Sequence, residues 1–204
     1  SLSRDGRSVC YSTEHSFHDF IVRNVETGGE STVPGQDFDS MPALCPDGSS
    51  FVFTSDRQGA GIDLWIQPLK DAVPDGPPRR LTDVPADVSH PAFSPDGHWI
   101  AYYRILEQKR DIWIMAASGG PPARFSDDAQ EAILPSWSPD GRRLAWAGGP
   151  SGSHRIRIAP VSAGRRTGEA ENVTPEGIDA LGSAWSPDGS RLAFVDGGRD
   201  AVLI

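Results

Sequence analysis

Apolar and polar positions along this chain do not follow a helical period. They come as short apolar stretches separated by turn residues, which predicts β-strands throughout. One phrase organises the pattern. It reads "FSPDGHWIAYYR" from 93, "WSPDGRRLAWAG" from 137 and "WSPDGSRLAFVD" from 185. Weaker copies are "LCPDGSSFVFTS" from 44 and "LSRDGRSVCYST" from 2. The aspartates of the phrase stand at 5, 47, 96, 140 and 188, at intervals of 42, 49, 44 and 48 residues. Repeats of roughly 40 to 50 residues that contain only strands read as propeller blades.

The third copy shows the expected blade. "HPAF" (90–93) is a first strand, and "SPDG" (94–97) turns the chain. Pro95 presets φ, Asp96 bonds its own backbone, and Gly97 supplies the positive φ of a short hairpin. "WIAYYR" (99–104), "DIWIMAA" (111–117) and "ARFSD" (123–127) follow as second, third and fourth strands. Third strands are also expected at 19–25, 63–69, 155–161 and 200–204, and fourth strands at 79–83 and 171–175. The fold class is all-β. A single propeller domain is expected, with blades over 1–36, 37–86, 87–130, 131–178 and 179–204, the last incomplete. That is roughly four and a half blades. The chain then reads as a piece of a six- or seven-bladed propeller, as a five-bladed ring, or as a chain that self-associates through its incomplete blades.

The motif Pro-x-Trp-Ser-Pro-Asp-Gly-x-x-Leu-Ala-Phe, followed by "DIWIM", "GG" and "RRLT", resembles the TolB-type β-propeller repeat family. The resemblance covers almost the whole chain. It implies a non-catalytic scaffold that presents loops or a channel mouth to a protein partner or small ligand. It equally allows the substrate-gating propeller of a prolyl-oligopeptidase-like serine peptidase, or a sensor domain fused to a regulator. It slightly favours a periplasmic or extracytoplasmic location.

Composition narrows the partners. The formal net charge is −9, which disfavours nucleic acid and anionic membrane surfaces. No apolar run approaches the ~18 residues of a membrane span. Cys10 falls where other copies have Val52, Ala101, Ala145 and Ala193, so it reads as a small core residue. Cys45 stands where three copies have Ser, and a disulfide between the two is the less expected arrangement.

The repeated aromatics read as core: Phe93, Trp137 and Trp185 between blades, and Phe53, Tyr102, Trp146 and Phe194 on second strands. The turn aspartates read as turn formers, and the third-strand aspartates 19, 63, 111 and 200 as strand-end caps. One acidic set suggests more. Asp87, Glu131 and Asp179 each stand six residues before a blade aromatic, and in the second copy Asp37 and Asp39 flank that position. Innermost strands of a propeller line its channel, so the candidate binding set is Asp39, Asp87, Glu131 and Asp179 at a channel mouth, with His90 at the same edge. Such a rim either attracts a cation, Ca²⁺ or Mg²⁺ by its oxygen ligands, or is simply solvated. No other cofactor is expected.

No catalytic set emerges. There is no Gly-x-Ser-x-Gly elbow, no phosphate loop and no dinucleotide fingerprint. "GGPSGSH" (148–154) has the wrong spacing and reads as a loop. His15 and His18, beside Glu14 and Asp19, could seed a zinc site but read as a surface loop. The inserts 69–80, 105–111 and 162–171 are the candidate partner-contacting loops.

Overall fold

The computed structural model describes residues 1–12, 19–36, 38–59, 61–126, 130–198 and 201–203. Every regular element among them is a strand. They fall into two compact units, Ser1–Phe93 and Ser94–Ile204.

The first unit opens with a sheet of β1 (Ser8–Ser12), β2 (Phe20–Asn24) and β3 (Glu30–Val33), in that order. A second sheet runs β4 (Ser40–Leu44), β5 (Ser50–Ser55), β6 (Asp63–Lys70) and β7 (Val73–Pro74), with β8 (Arg79–Arg80) also on β6. The unit ends with β9 (Asp87–Phe93). Its core is Cys10, Phe20, Val22, Phe51, Phe53, Trp65 and neighbours. Phe20 centres it, with ring centroids 5.1 Å from Phe51 and 4.8 Å from Phe53. Both cysteine thiols are free and buried. Burial pushes the Cys10 thiol up to about 12 and that of Cys45 up to about 11.

The second unit begins with β10 (Trp99–Leu106), β11 (Lys109–Ala116) and β12 (Ala123–Arg124). A sheet follows in the order β13 (Glu131–Trp137), β14 (Arg143–Gly149), β15 (Arg155–Ser162) and β16 (Arg165–Arg166), with β17 (Glu171–Asn172) on β15. The last sheet is β18 (Ala180–Trp185), β19 (Leu192–Asp196) and β20 (Ala201–Leu203). Pairing throughout is antiparallel between successive strands.

Second strands are apolar in consecutive positions rather than alternately. Residues 51–55 of β5 and 144–148 of β14 are all buried. Strands covered on both faces take this pattern. In the second unit Trp146 meets Phe125 edge-on at 5.7 Å. On the other face Ala145, Ala147 and Ile156 pack with Trp185, Leu192 and Phe194. The aromatic at 185 thus sits between two blades, as the repeat implies.

Three sequence expectations change. Residues 105–111 are not a loop: β10 and β11 continue through them around a two-residue turn. Glu107 (φ 50°) and Gln108 (φ 68°) both take the left-handed region, the geometry of a type I′ hairpin. The inserts 69–80 and 162–171 likewise begin as short hairpins, β6–β7 and β15–β16. Fourth strands are shorter than expected, with only two residues each in β8, β12 and β17.

Candidate functional site

Each repeat has a turn end and an opposite end, and both carry carboxylates. At the turn end the chemistry repeats. Ser3, Ser94, Ser138 and Ser186 each donate Oγ–H to the aspartate two residues on, at 2.7, 2.5, 2.6 and 2.6 Å. Each of these serines also accepts from the N–H five residues on. The glycine of each turn has φ between 69° and 74°. For Asp5, Asp140 and Asp188 the serine hydroxyl and a backbone N–H hold the carboxyl below its ordinary range, and Asp188 reaches about 2. For Asp96 burial opposes this, but the same hydrogen bonds from Ser94 and His98 outweigh it. These groups build turns, as their sequence context predicts.

The opposite end is built from the residues six before the aromatic. Asp87 Oδ1 accepts the Ile62 N–H at 2.9 Å. Asp179 Oδ1 accepts the His154 N–H at 2.9 Å. Both bonds reach back 25 residues to the residue that precedes a third strand. Each carboxylate therefore clips the loop of the preceding repeat.

In the second unit the clip grows into a bridge. His154 is 4% exposed. Its Nδ1 lies 2.8 Å from Asp179 Oδ1, and its Nε2 lies 3.1 Å from Glu131 Oε2. Both ring nitrogens face carboxylate oxygens, and only the imidazolium donates from both. Glu131 Oε1 also takes a charge-assisted bond from Arg110 Nη1. Burial acts to raise Asp179, but the N–H and imidazole of His154 prevail and hold it below its ordinary value.

In the first unit the fully buried Asp39 pairs with Arg57 Nη2 and accepts the Gln36 N–H at 3.0 Å. The Arg57 guanidinium lies 4.8 Å from the Phe53 ring centroid and 5.1 Å from that of Trp65. This is a packed ion pair stacked on aromatics. His90 sits apart from Asp39 in role. Its Nδ1 is 2.9 Å from the hydroxyl of its neighbour Ser89, and burial lowers its pKa.

His90 also marks a backbone device. Met41, His90, Leu134 and Gly182 occupy equivalent positions in β4, β9, β13 and β18, with φ of 55°, 50°, 56° and 51°. Register shifts fall there between Ser40 and Ala43, Ile133 and Ser136, and Leu181 and Ser183. Each is a bulge that re-aims the strand.

The structure thus brings Glu131 and Asp179 together through His154, and gives Asp39 and Asp87 separate partners within the first unit. His154, Arg110 and Arg57 are the partners that sequence reading missed. A constant 25-residue offset was the signal for His154. Among the described residues no group of three or more His, Cys, Asp or Glu side chains is placed to hold a metal ion. His15 and His18 lie outside the described residues.

Comparison with known proteins agrees with this architecture. The chain belongs to the TolB β-propeller domain family, whose model matches residues 76–204. Its fold is that of TolB from Acinetobacter baumannii, at 18% identity and a TM-score of 0.72 over 96% of this chain and 50% of that one. A putative TolB from Agrobacterium tumefaciens is similar at 21% identity and a TM-score of 0.72, over 96% of this chain and 68% of that one. An 82-residue stretch, 39% of this chain, is 38% identical to the uncharacterized peptidase YuxL of Bacillus subtilis. That stretch spans 12% of the peptidase.

Proposed function

We propose that this chain is a non-catalytic propeller that binds a ligand or protein partner. The observation that carries this is the bridge Arg110–Glu131–His154–Asp179. The imidazole of His154, held between two carboxylates, has both nitrogens engaged. It is committed to joining loops rather than to moving a proton. Ser89 and His90 do touch, but Asp87, the nearby carboxylate, spends its Oδ1 on a backbone N–H. A place of action outside the cytoplasm accompanies this reading. Ester and peptide substrates incubated with the purified chain should give no turnover above that of the Ser89→Ala variant. Turnover that the variant abolishes would overturn the proposal.

A second reading is favoured by the 38% identity to a peptidase. Here the propeller forms part of a longer serine peptidase and controls access to a catalytic domain elsewhere in that protein. The reading frame around the chain decides it. A Gly-x-Ser-x-Gly followed by Asp and His supports the peptidase, and a flanking DNA-binding or kinase segment excludes it.

A further inference from the structure

Seven aspartates in the chain are followed by glycine: Asp5, Asp47, Asp75, Asp96, Asp140, Asp188 and Asp196. Such a bond can rearrange. The glycine amide nitrogen can attack the aspartate Cγ, because no Cβ on the glycine blocks the approach. In a folded chain the outcome depends on how firmly the two groups are held.

In six of the seven both groups are tied. In the five repeat turns the glycine N–H donates to the carbonyl three residues back, at 2.8 to 3.0 Å. The carboxylate of each accepts the N–H two residues on, at 2.9 to 3.0 Å. In four of the five it also takes the serine hydroxyl. The sixth, Asp196, is 1% exposed and accepts the Gly198 N–H at 3.1 Å. Its glycine, Gly197, donates N–H to the Asp179 carbonyl at 2.8 Å.

Asp75 is built differently. It follows β7 in the insert of the second repeat, and both it and Gly76 are exposed. Among the described residues its carboxylate has no hydrogen bond or ion pair, and the Gly76 N–H has no acceptor. A side chain at 76 would meet no atom within 4 Å, so there is room for a ring. The flanking groups are fixed. The Asp75 N–H donates to the Pro68 carbonyl at 2.9 Å, and Nε2 of the buried Gln67 donates to the Gly76 carbonyl at 2.9 Å. The reacting pair is thus held in place by its neighbours without being engaged itself.

We propose that the fold singles out Asp75 for spontaneous isomerisation to isoaspartate. The Gly76 nitrogen bonds to Asp75 Cγ and gives up its proton. The carboxyl hydroxyl leaves with that proton as water, and a five-membered succinimide remains. Water then adds to one of the two ring carbonyls. Opening at Cγ restores aspartate. Opening at the main-chain carbonyl routes the chain through the side chain and leaves the mass unchanged. The main chain gains one methylene at 75, which should draw the Gly76 carbonyl away from Gln67. In the turns, closure must first break the glycine's bond and at least one bond to the carboxylate, which should slow it roughly tenfold or more. The same bonds hold the carboxyls of Asp5, Asp140 and Asp188 below their ordinary range, so less of the acid form that loses water is present.

The test is prolonged incubation of the purified, folded chain at mildly acidic pH. Trypsin digestion and enzymatic methylation of isoaspartyl groups follow. The peptide Asp71–Arg79 should split into two chromatographic species of one mass and take the methyl label. Peptides holding the other six bonds should label at least about tenfold less. Asp75→Glu should remove the signal and keep the fold, since its exposed carboxylate supports nothing else. In urea all seven bonds should label at comparable rates. No label on Asp71–Arg79, or equal label on the turn peptides, would overturn the proposal. A lead of Asp75 that persists unchanged in urea would overturn it too, because local sequence and not the fold would then set the rate.

Discussion

The two ends of each repeat follow different rules. At the turn end, serine, aspartate and glycine make the same bonds in four of the five copies, all within five residues of one another. At the opposite end the acidic position changes its partner from copy to copy: a backbone N–H for Asp87, a guanidinium and an imidazole for Glu131, an imidazole and its N–H for Asp179. The uniform end solves one local problem, the reversal of the chain. The variable end joins one repeat to the next, so its chemistry is free to differ. Individual properties of the protein belong there.

The sharpest way to break this comparison is His154→Ala. It leaves Glu131 and Asp179 facing a void in a largely buried setting. The loss should be about 3 kcal/mol in urea unfolding. A loss below about 1 kcal/mol would mean that the bridge does not join the loops. Ser138→Ala at the turn end removes one donor to Asp140 and one acceptor for the Arg143 N–H. Its cost should be about 1.5 kcal/mol. Ser94→Ala should cost about the same, because the two turns are bonded alike. Unequal losses would show that the turns are less equivalent than their geometry.

The effect of Asp188→Asn should be smaller, present in full above the ordinary carboxylate range and gone in strong acid. The folded-state pKa of Asp188 is depressed to about 2. Its stabilisation is therefore fully present above the ordinary carboxylate value near 4 and is lost as pH falls through the folded value near 2. Melting temperature should fall over that window, and less steeply in the variant. An identical slope would remove Asp188 from the account of acid unfolding.

These differences also explain what could be read from the sequence. The turn strings carry their own φ preferences and donors, so strands and reversals were legible from them. The hairpin at Glu107–Gln108 was not, because two left-handed residues stand there without a glycine to announce them. Asp39, Asp87, Glu131 and Asp179 were legible as a set by position. Their partners were not: Arg57, Arg110 and His154 lie on other segments of the chain, and Asp39, Asp87 and Asp179 each also take a backbone amide. The glycines at 148 and 149 looked like mere loop residues. Only the ladder, which sets Gly148 against Arg155, shows that they end a strand.

The bulges have a consequence for solubility. β4, β13 and β18 each stand at the edge of their sheet, and an open edge invites strand addition from another molecule. In β4, β9 and β13 a left-handed residue is followed by Pro42, Pro91 or Pro135. The bulge twists the edge and the proline withholds an amide hydrogen, so a foreign strand finds no continuous ladder to extend. β18 has the bulge at Gly182 but Ser183 in the proline's place. Of the bulged edge strands β4, β13 and β18, β18 is therefore the least guarded, and among these three intermolecular β-pairing should nucleate there first.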